Sequence, residues 1–466
     1  MKPLFSDKGG IKDNIVLVED EKIISEDVEV AQTFNNFFEN AINSLGITEN
    51  RAVLMETDNI EGKVKKAIKM FEIHPSIISI NENIKVDTRF SFSEVNADEM
   101  KSEIMNLKTN KAGTFMNIPA KQLKQVCEVV CEPLKEIWNE EVIKNKIFHA
   151  KLKLADISPI FKKLQSVFAK NYRPMSVLPV VSKVFERLMQ KQVNDFIGKF
   201  LSPFLCGYRK GYNCQYALLA MIEKWKLSLD TKGFAGGILM DLSKAFDTIN
   251  HKLLIAKLHA YGFNVDALEI ISDYLSNRWQ RTKINITFSS WSELLSGLPQ
   301  GSVLGPQFFN IYINDLFYQF VNTSVCNIAD DTTPYACDID LVTLLQNLEN
   351  DTMSAIIWYE LNYMKLNQDK CHFLISGNTP EHLWIKVGEH KLWESYQEKL
   401  LGLTIDKNLN FNEHLSNVCK NASKKVTALA RLAKIVPFDK KRLLFKSFIE
   451  SQFSYCPLIW MFVLGK

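Results

Sequence analysis

The sequence lacks several features that define specialised classes of protein. No apolar run reaches the roughly 18 residues that a transmembrane helix needs, and the first 13 residues contain no apolar segment typical of a signal peptide. None of the nine cysteines forms a C-x-x-C pair, and no histidine pair at ligand spacing accompanies Cys127 and Cys131. We therefore expect no membrane association and no zinc site, but an intracellular chain with reduced, mostly buried thiols.

Net charge is also low, because 56 Lys and Arg residues oppose 53 Asp and Glu residues in a chain of 466. The balance conceals an asymmetry. Residues 1–60 hold 12 acidic and 5 basic side chains, whereas residues 420–446 hold 9 basic and 1 acidic. A concentrated positive surface is typical of proteins that bind nucleic acid, but a solvated helix face is also rich in lysine, so charge alone leaves both interpretations open. This basic block consists of Lys420, Lys424, Lys425, Arg431, Lys434, Lys440, Lys441, Arg442 and Lys446.

The periodicity of apolar residues predicts a mixed α and β chain. We expect a helix over 21–46 with Ser25 as its N-cap, and mainly helical structure over 95–147 with a break at Pro133. A strand is expected within 152–163, followed by a helix with the sequence VVSKVFERLMQKQVNDFI. The length suggests roughly three structural units.

Beyond Gly236 the sequence becomes more informative. The apolar run GGILMDL over 236–242 predicts a buried strand that ends near Asp241, and the following residues 243–262 predict a helix that ends at Gly262.

A hairpin is expected over residues 323–337, with Asp330 and Asp331 in its turn. Because proline lacks an N–H group, Pro334 implies an edge or bulge position in the second strand.

Two adjacent aspartates in a tight turn repel each other and raise each other's pKa, and a bridging divalent cation relieves this repulsion. Two hard cations about 3.5–4 Å apart stabilise both the attacking and the leaving oxygen of a phosphoryl displacement. Asp241, at the end of a neighbouring buried strand, would complete such a site, and Mg²⁺ suits it because Mg²⁺ accepts carboxylate and phosphate oxygens. An Asp-Asp pair taken alone is more often an exposed turn.

Three motifs decide between these interpretations, because they occur in a characteristic order. They are ILMDLSKAFD (238–247), SGLPQGSVLGPQFFNIYINDL (296–316) and NIADDTTPYA (327–336). Together they resemble the palm of the reverse transcriptases of non-LTR, jockey-like retrotransposons. The similarity extends over roughly 150–460 through SPIFKK (158–163), NYRPMSVLPVVSKVFERLM (171–189), MKLNQDKCHFL (364–374), LLGLTIDKNLNF (400–411) and SFIESQFSYCPLIW (447–460).

The resemblance implies an α+β right-hand polymerase fold with fingers, a palm built on an antiparallel sheet and a partial helical thumb. The implied domains are a helical N-terminal extension over 1–90, fingers and palm over 91–405, and the thumb over 406–466. Relatives carry an endonuclease domain before the polymerase and continue beyond its end, so the chain is expected to be a fragment.

The resemblance also assigns catalytic roles. Asp241, Asp330 and Asp331 correspond to the carboxylates that hold two Mg²⁺ ions, with Mn²⁺ as an alternative. Lys370 corresponds to the lysine that protonates the pyrophosphate leaving group, although a solvated loop lysine is an equally good explanation of this residue.

Contacts with the incoming nucleotide and the nascent base pair are implied for a second set of residues. Phe246 corresponds to the aromatic ring under the incoming sugar, where bulk excludes a 2′-OH. Gln300, together with Gly297 and Gly301, corresponds to the loop that touches the template and the nascent base pair, where small residues allow close backbone approach to a ligand.

Further residues correspond to those that meet the triphosphate and the nucleic acids. The basic residues that contact the triphosphate of the incoming nucleotide correspond to Lys162, Lys163 and Arg173. Which of the two lysines makes this contact stays open. The implied partners are an RNA template, a DNA primer and dNTPs, and Leu401 and Gly402 correspond to the turn that grips the primer end. The basic block then becomes a thumb surface for the RNA–DNA hybrid, with Lys424, Lys425, Arg431, Lys440 and Lys441 among its contacts.

The sequence therefore predicts an RNA-directed DNA polymerase of a mobile element. Two alternatives are an inactive nucleic-acid-binding remnant and, less compatible with the loop around Gln300 and with Phe246, a metal-dependent nuclease or transposase. Ile328 departs from the family, which has an aromatic residue there, and this difference bears on rate or fidelity. A nuclear location is compatible with the sequence, but Lys440-Lys441-Arg442 is too short to act as a secure signal.

Overall fold

The computed structural model describes residues 15–40, 59–109, 118–162, 164–432, 435–457 and 459. The strands are β1 (Leu17–Glu19), β2 (Lys22–Ile24), β3 (Leu154–Phe161), β4 (Tyr172–Val177), β5 (Phe234–Leu239), β6 (Arg278–Ile284), β7 (Thr287–Phe288), β8 (Ser292–Leu294), β9 (Ser324–Ile328), β10 (Asp331–Asp338), β11 (His372–Ser376), β12 (Trp384–Val387), β13 (His390–Ser395), β14 (Gln397–Leu400) and β15 (Leu403–Asp406). The helices are α1 (Asp27–Glu39), α2 (Ile60–Met70), α3 (Pro75–Asn83), α4 (Ala97–Met105), α5 (Ala120–Gln125), α6 (Cys127–Ile137), α7 (Val180–Ile197), α8 (Cys214–Asp230), α9 (His251–Ala260), α10 (Val265–Leu275), α11 (Gly305–Ile313), α12 (Leu341–Leu361), α13 (Asn412–Leu432), α14 (Phe438–Phe445) and α15 (Ser451–Phe453).

These elements form two compact units. The first unit comprises residues 1–201 and 244–313, and the second comprises 202–243 and 314–466. The strand expected within 152–163 is present as β3, and the helix VVSKVFERLMQKQVNDFI is present as α7. The division into an extension, fingers with palm, and thumb stays a prediction.

In the first unit, a mixed sheet runs in the order β4-β3-β6-β7, with β8 paired to β6. Helix α1 packs on this sheet, and its apolar face includes the buried residues Val30, Phe34 and Phe38. The Phe34 ring meets the ring of Tyr172 edge to face at 4.8 Å. The sheet therefore gains a hydrophobic core from a helix that lies far earlier in the sequence.

Helix α1 is shorter than the sequence predicted. The prediction of one helix over 21–46 was wrong at its start, because residues 22–24 form β2, which pairs with β1, and the N-cap is Glu26 rather than Ser25. Backbone pairing in this short hairpin prevails over helix periodicity. Residues 41–46 lie outside the described residues.

Pro133 does not break the helical region as predicted, since it lies inside α6. An internal proline costs a helix roughly 3 kcal/mol because it lacks the N–H donor. Here the helix continues across it and anchors on the buried side chains of Cys127, Cys131 and Trp138. Tertiary burial offsets the local penalty, which the sequence pattern could not reveal.

The second unit is built around a six-stranded sheet in the order β12-β13-β11-β5-β10-β9. Helices α12 and α8 pack against its central strand, β5. A Cβ atom on Gly236 would approach Leu344 of α12 to 3.2 Å, and one on Gly237 would approach Trp225 of α8 to 3.2 Å. Because successive strand residues point to opposite faces, the two helices cover opposite faces of the sheet.

The helix predicted over 243–262 begins only at His251. Residues 244–248 form a turn, in which Asp247 N–H donates to the carbonyl of Lys244, and the side chain of Asn250 caps α9. The predicted end is confirmed, because Gly262 follows the last turn of α9 with a φ of 98°.

The hairpin predicted over 323–337 is confirmed as β9 and β10. Of the two positions predicted for Pro334, an edge or a bulge, the edge was wrong. Strand β10 lies between β9 and β5. Its pairing with β5 is recorded at Tyr335–Gly237 and at Met240–Thr332, with a gap at Pro334 between them. A local interruption of the ladder therefore accommodates the missing N–H group.

All nine cysteines are free, and six are buried. Within the described ranges, no helix is both long enough and apolar enough to span a bilayer.

We predict that Phe34→Ala destabilises the first unit by about 3–5 kcal/mol, the usual cost of removing a fully buried phenylalanine. Urea unfolding followed by tryptophan fluorescence measures this change. Val28→Ala is the matched control in the same helix, since Val28 is 54% exposed, and it should shift stability by no more than about 0.5 kcal/mol. Equal losses in both variants would contradict the proposed anchoring role of Phe34.

Candidate active site

Asp241 lies just beyond the end of β5. The preceding residue, Met240, exchanges backbone hydrogen bonds with Thr332 at 3.0 and 3.4 Å. On its other side, the carbonyl of Asp241 accepts a hydrogen bond from Asn367 N–H at 2.8 Å. Backbone pairing on both sides therefore holds this half-buried aspartate at the end of the central strand.

Asp330 belongs to a two-residue turn between β9 and β10. The first turn residue, Ala329, has a φ of 55°, a left-handed conformation that is uncommon for residues other than glycine. Asp331 begins β10 and pairs with Ile328. The tight hairpin predicted for the Asp-Asp pair is confirmed.

The register of β5 and β10 relates these carboxylates to one another. One step beyond the Met240–Thr332 bridge, the antiparallel pattern puts Asp241 across from Asp331. Asp330 follows in the adjacent turn. In the part of the chain that the structure describes, no group of three or more His, Cys, Asp or Glu side chains is arranged to hold a metal ion. The topology thus makes the three aspartates neighbours along the backbone without a ready-made cage of ligands.

Lys370 forms an ion pair with Asp241. Its Nζ atom lies 2.7 Å from Asp241 Oδ2, in a pair that is 61% and 28% exposed at the two side chains. The 3₁₀ turn that carries Lys370 leads into β11, which pairs with β5. One of the predicted metal ligands is therefore already paired with a positive charge. Carboxylate oxygens are hard donors, which Mg²⁺ and Mn²⁺ accept as ligands.

Leu401 and Gly402 form the two-residue turn between β14 and β15. Their φ values are 49° and 91°, as in a type I′ hairpin turn. The carbonyl of Leu401 accepts a hydrogen bond from the hydroxyl of Tyr455. The predicted primer-contacting turn is a tight, internally anchored structure, and its role in binding primer stays a prediction.

Seven of the nine residues of the predicted basic block lie on two helices of the second unit, and Lys434 lies outside the described residues. Helix α13 carries Lys424, Lys425 and Arg431, and α14 carries Lys440 and Lys441. These side chains are exposed or half-buried, while the only buried residue of α13 among those described is Ala422. The block is thus surface-directed, as both the nucleic-acid and the solvated-face interpretations require.

The first unit holds the predicted triphosphate cations. Arg173 in β4 pairs with Ile160 in β3, and Lys162 follows two residues after Ile160, with its N–H bonded to the carbonyl of Asn171. Alternate residues of a strand share a face, so Lys162 and Arg173 lie on one face of this hairpin. Both are exposed. Lys163 lies outside the described residues.

Phe246 stacks on Phe309 of α11, with ring centroids 4.6 Å apart and planes within 8°. Phe309 is fully buried, whereas Phe246 is half-buried. One face of the Phe246 ring is therefore fixed by the core of the first unit. A fixed ring suits a steric role better than a mobile one, but that role stays a prediction.

The loop around Gln300 packs closely against its own unit. The carbonyl of Gln300 accepts a hydrogen bond from Ser176 N–H at 2.7 Å, and its side-chain amide donates to Asp247 at 2.9 Å. A Cβ on Gly297 would lie 2.7 Å from the Asp247 backbone, and one on Gly301 would lie 2.6 Å from the Ser176 carbonyl. These glycines therefore permit close approach to protein backbone, whereas the sequence pattern suggested approach to a ligand.

Sequence reasoning overlooked three residues that support these segments. Burial raises the pKa of Asp247, which holds the Gln300 side chain. Burial also raises the pKa of Glu186 in α7, which accepts a hydrogen bond from Val303 N–H behind the same loop. Asn327 is fully buried beside the Ala329 turn. An acidic or amide residue at an otherwise apolar, buried position is the only signal that could have revealed them.

Residues 160–405 match the family described as reverse transcriptase (RNA-dependent DNA polymerase). The chain is 25% identical over 353 residues to the probable RNA-directed DNA polymerase from transposon BS of Drosophila melanogaster, which covers 72% of this chain and 38% of that protein. It is 24% identical over 362 residues to the RNA-directed DNA polymerase from mobile element jockey of the same species, covering 75% of this chain and 39% of that protein. The corresponding jockey protein of Drosophila funebris is 22% identical over 391 residues, covering 80% of this chain and 42% of that protein.

The chain belongs to the reverse transcriptase family, whose polymerase domain has a right-hand fold and which uses divalent metal ions. The relatives are proteins of non-LTR mobile elements, so the predicted resemblance to jockey-like elements is confirmed. The chain spans about two fifths of the length of these relatives.

We predict that Lys370→Met strengthens Mn²⁺ binding about two- to fivefold, because an exposed ion pair that competes with the metal is worth roughly 0.2–1 kcal/mol. Titration of free Mn²⁺ by electron paramagnetic resonance measures the affinity. Lys386→Met, which removes the same charge from the edge strand β12, should leave the affinity unchanged. Weaker binding in Lys370→Met would show that the ammonium group does not compete for Asp241.

Proposed function

We propose that this chain catalyses RNA-directed DNA synthesis, transferring a nucleotide from a dNTP to a primer 3′-OH. The primer oxygen forms a bond to the α-phosphorus, the bond to pyrophosphate breaks, and the hydroxyl proton is released. The single observation that carries the proposal is the facing of Asp241 and Asp331 across β5 and β10, with Asp330 in the adjacent turn.

The carboxylates Asp241, Asp330 and Asp331 would hold two Mg²⁺ ions, or Mn²⁺ in their place. When bound, such ions supply charge stabilisation to the attacking and leaving oxygens. Oxygen-only donors fit these hard cations, and the Lys370 ammonium group on Asp241 supports the view that this carboxylate attracts a cation. Metal binding would also relieve the repulsion between the negative charges of Asp330 and Asp331 in the hairpin.

Lys370 carries protons at Nζ, 2.7 Å from Asp241 Oδ2. In our proposal the ammonium group donates one of these protons to the pyrophosphate oxygen as the bond to the α-phosphorus breaks. The ion pair would hold Lys370 near the carboxylates until substrate arrives. Proton donation would then leave a neutral amine that recovers its proton from solvent.

Substrate binding in the proposal uses residues of the first unit. Arg173 and Lys162 share a face of the β3–β4 hairpin, which suits contact with triphosphate oxygens, since guanidinium binds phosphate in a bidentate manner. The fixed ring of Phe246 would exclude a 2′-OH by collision. Gln300, held by Asp247, would contact the template and the nascent base pair.

The proposed partners are an RNA template and a DNA primer. The basic helices α13 and α14 would contact the hybrid backbone, because proteins recognise A-form-like duplexes through backbone and shape. We further propose that the protein acts inside the cell, where such templates occur, and the sequence contains no secure nuclear signal.

We predict that Asp330→Asn lowers primer extension on an RNA template by at least about a thousandfold, because removing a metal ligand sacrifices several kcal/mol of charge stabilisation. The assay uses purified chain with Mg²⁺, dNTPs and a labelled DNA primer. Asp338→Asn changes a carboxylate at the far end of β10, the strand that follows the turn with Asp330, and should retain activity.

Two results would count against the polymerase proposal. Undiminished extension by Asp330→Asn would exclude the assigned metal role. Absent extension by the unmodified chain, with hybrid binding intact, would favour the alternative of an inactive nucleic-acid-binding protein.

We predict that replacing Lys424, Lys425, Lys440 and Lys441 with glutamine flattens the salt dependence of hybrid binding. The slope of log K against log salt should fall in magnitude by roughly 0.9 for each phosphate that the helices no longer neutralise. Fluorescence anisotropy with a labelled RNA–DNA hybrid measures it. The control replaces the four lysines of α2 in the first unit with glutamine. An equal change in slope in the control would favour the interpretation of the basic block as a solvated helix face.

A further inference from the structure

We propose that Asn327 is a positioning residue, which holds the turn bearing Asp330 in the shape that metal binding requires. The inference rests on the proposed function, because the turn matters only if Asp330 and Asp331 bind metal. No role for Asn327 follows from its residue type alone. The geometry of its side chain and of the turn supports the proposal.

The side-chain amide of Asn327 spans the whole turn. Its Nδ2 atom lies 3.1 Å from the carbonyl oxygen of Ala329, 3.3 Å from that of Asp331 and 3.0 Å from Thr332 Oγ1. Two of these acceptors are the carbonyls on either side of Asp330. A single buried donor group therefore ties together the residues that flank the central aspartate.

The orientation of this amide is set by its surroundings. The two carbonyl oxygens require an N–H donor, so the opposite orientation would bring Oδ1 against them. Oδ1 itself has no hydrogen-bond partner among the residues the structure describes, although the side chain is fully buried. A buried acceptor without a partner costs free energy. The hydrogen bonds donated by Nδ2 must therefore stabilise the turn by enough to offset this cost.

The turn needs such support, because its first residue is strained. Ala329 adopts a φ of 55°, which costs an L-residue other than glycine free energy. The hydrogen bond from Asn327 to the Ala329 carbonyl opposes relaxation of that residue. If the turn relaxed, the direction in which Asp330 leaves the hairpin would change.

A second segment closes on the same turn from outside. Leu205 forms an isolated parallel bridge with Asn327, and a Cβ on Gly207 would lie only 2.5 Å from the Ala329 nitrogen. The backbone of Gly207 thus lies closer to the Ala329 turn than the backbone of a residue with a Cβ atom could. Asn327 from inside and Gly207 from outside leave the turn little freedom.

The test measures Mn²⁺ affinity by electron paramagnetic resonance, together with kcat and the KM for dNTP in single-nucleotide extension. In Asn327→Leu, which keeps the volume but loses the donor, we expect Mn²⁺ to bind about 10- to 100-fold more weakly, as for other residues that orient metal ligands. The value of kcat should fall, while the KM for dNTP should change little. Adding Ala329→Gly to this variant should recover part of the affinity, because glycine adopts the positive φ without strain.

The matched control is Asn139→Leu in the first unit. Asn139 is also buried, and its amide bonds both backbone groups of Val95. This variant should lose stability without losing Mn²⁺ affinity. Circular dichroism and thermal unfolding establish that each variant is folded, and Asn327→Ala, which leaves space for a water molecule, replaces Asn327→Leu if the latter does not fold.

Unchanged Mn²⁺ affinity in a folded Asn327 variant would overturn the proposal, as would an equal loss of affinity in Asn139→Leu. Failure of both Asn327 variants to fold, with Asn139→Leu folded, would assign Asn327 a structural role only. If the unmodified chain binds no Mn²⁺ in a manner that depends on Asp330, the polymerase proposal itself fails. The two failures are therefore distinguishable.

Discussion

The antiparallel pairing of β5 with β10 is the constraint on which the candidate site depends. It places Asp241 across from Asp331 and next to the turn with Asp330, although the two strands lie far apart in the sequence. Gly236 and Gly237 let side chains of α12 and α8 pack closely on the two faces of β5. A Cβ at either glycine would lie 3.2 Å from a side chain of the facing helix, so that side chain would have to move.

Bringing three carboxylates together along one hairpin and one strand end is electrostatically unfavourable without a cation. Lys370 relieves part of this repulsion through its ion pair with Asp241. Divalent metal ions, which this family uses, would relieve the repulsion that remains. The pair is partly exposed, so it stabilises the fold little. In the proposed mechanism, this ion pair holds a proton donor beside the carboxylates while remaining weak enough to be displaced.

Buried support behind a predicted functional side chain recurs in both units. In the first unit, Phe309 backs Phe246, and Asp247 with Glu186 backs the loop around Gln300. In the second, Asn327 backs the aspartate turn. Each supporting residue is buried or half-buried and acts through a few short contacts.

The sequence by itself determined the family, the order of the motifs, β3, α7 and the aspartate hairpin, because local patterns and turn chemistry specify these. Tertiary structure decided what local patterns could not. Strand pairing at β1 and β2 shortened the helix predicted from residue 21, burial of Trp138 carried α6 across Pro133, and a gap in the ladder admitted Pro334 to an interior strand. The role of Asn327 also depended on tertiary structure, since a donor gains its meaning only from the acceptors that folding brings to it.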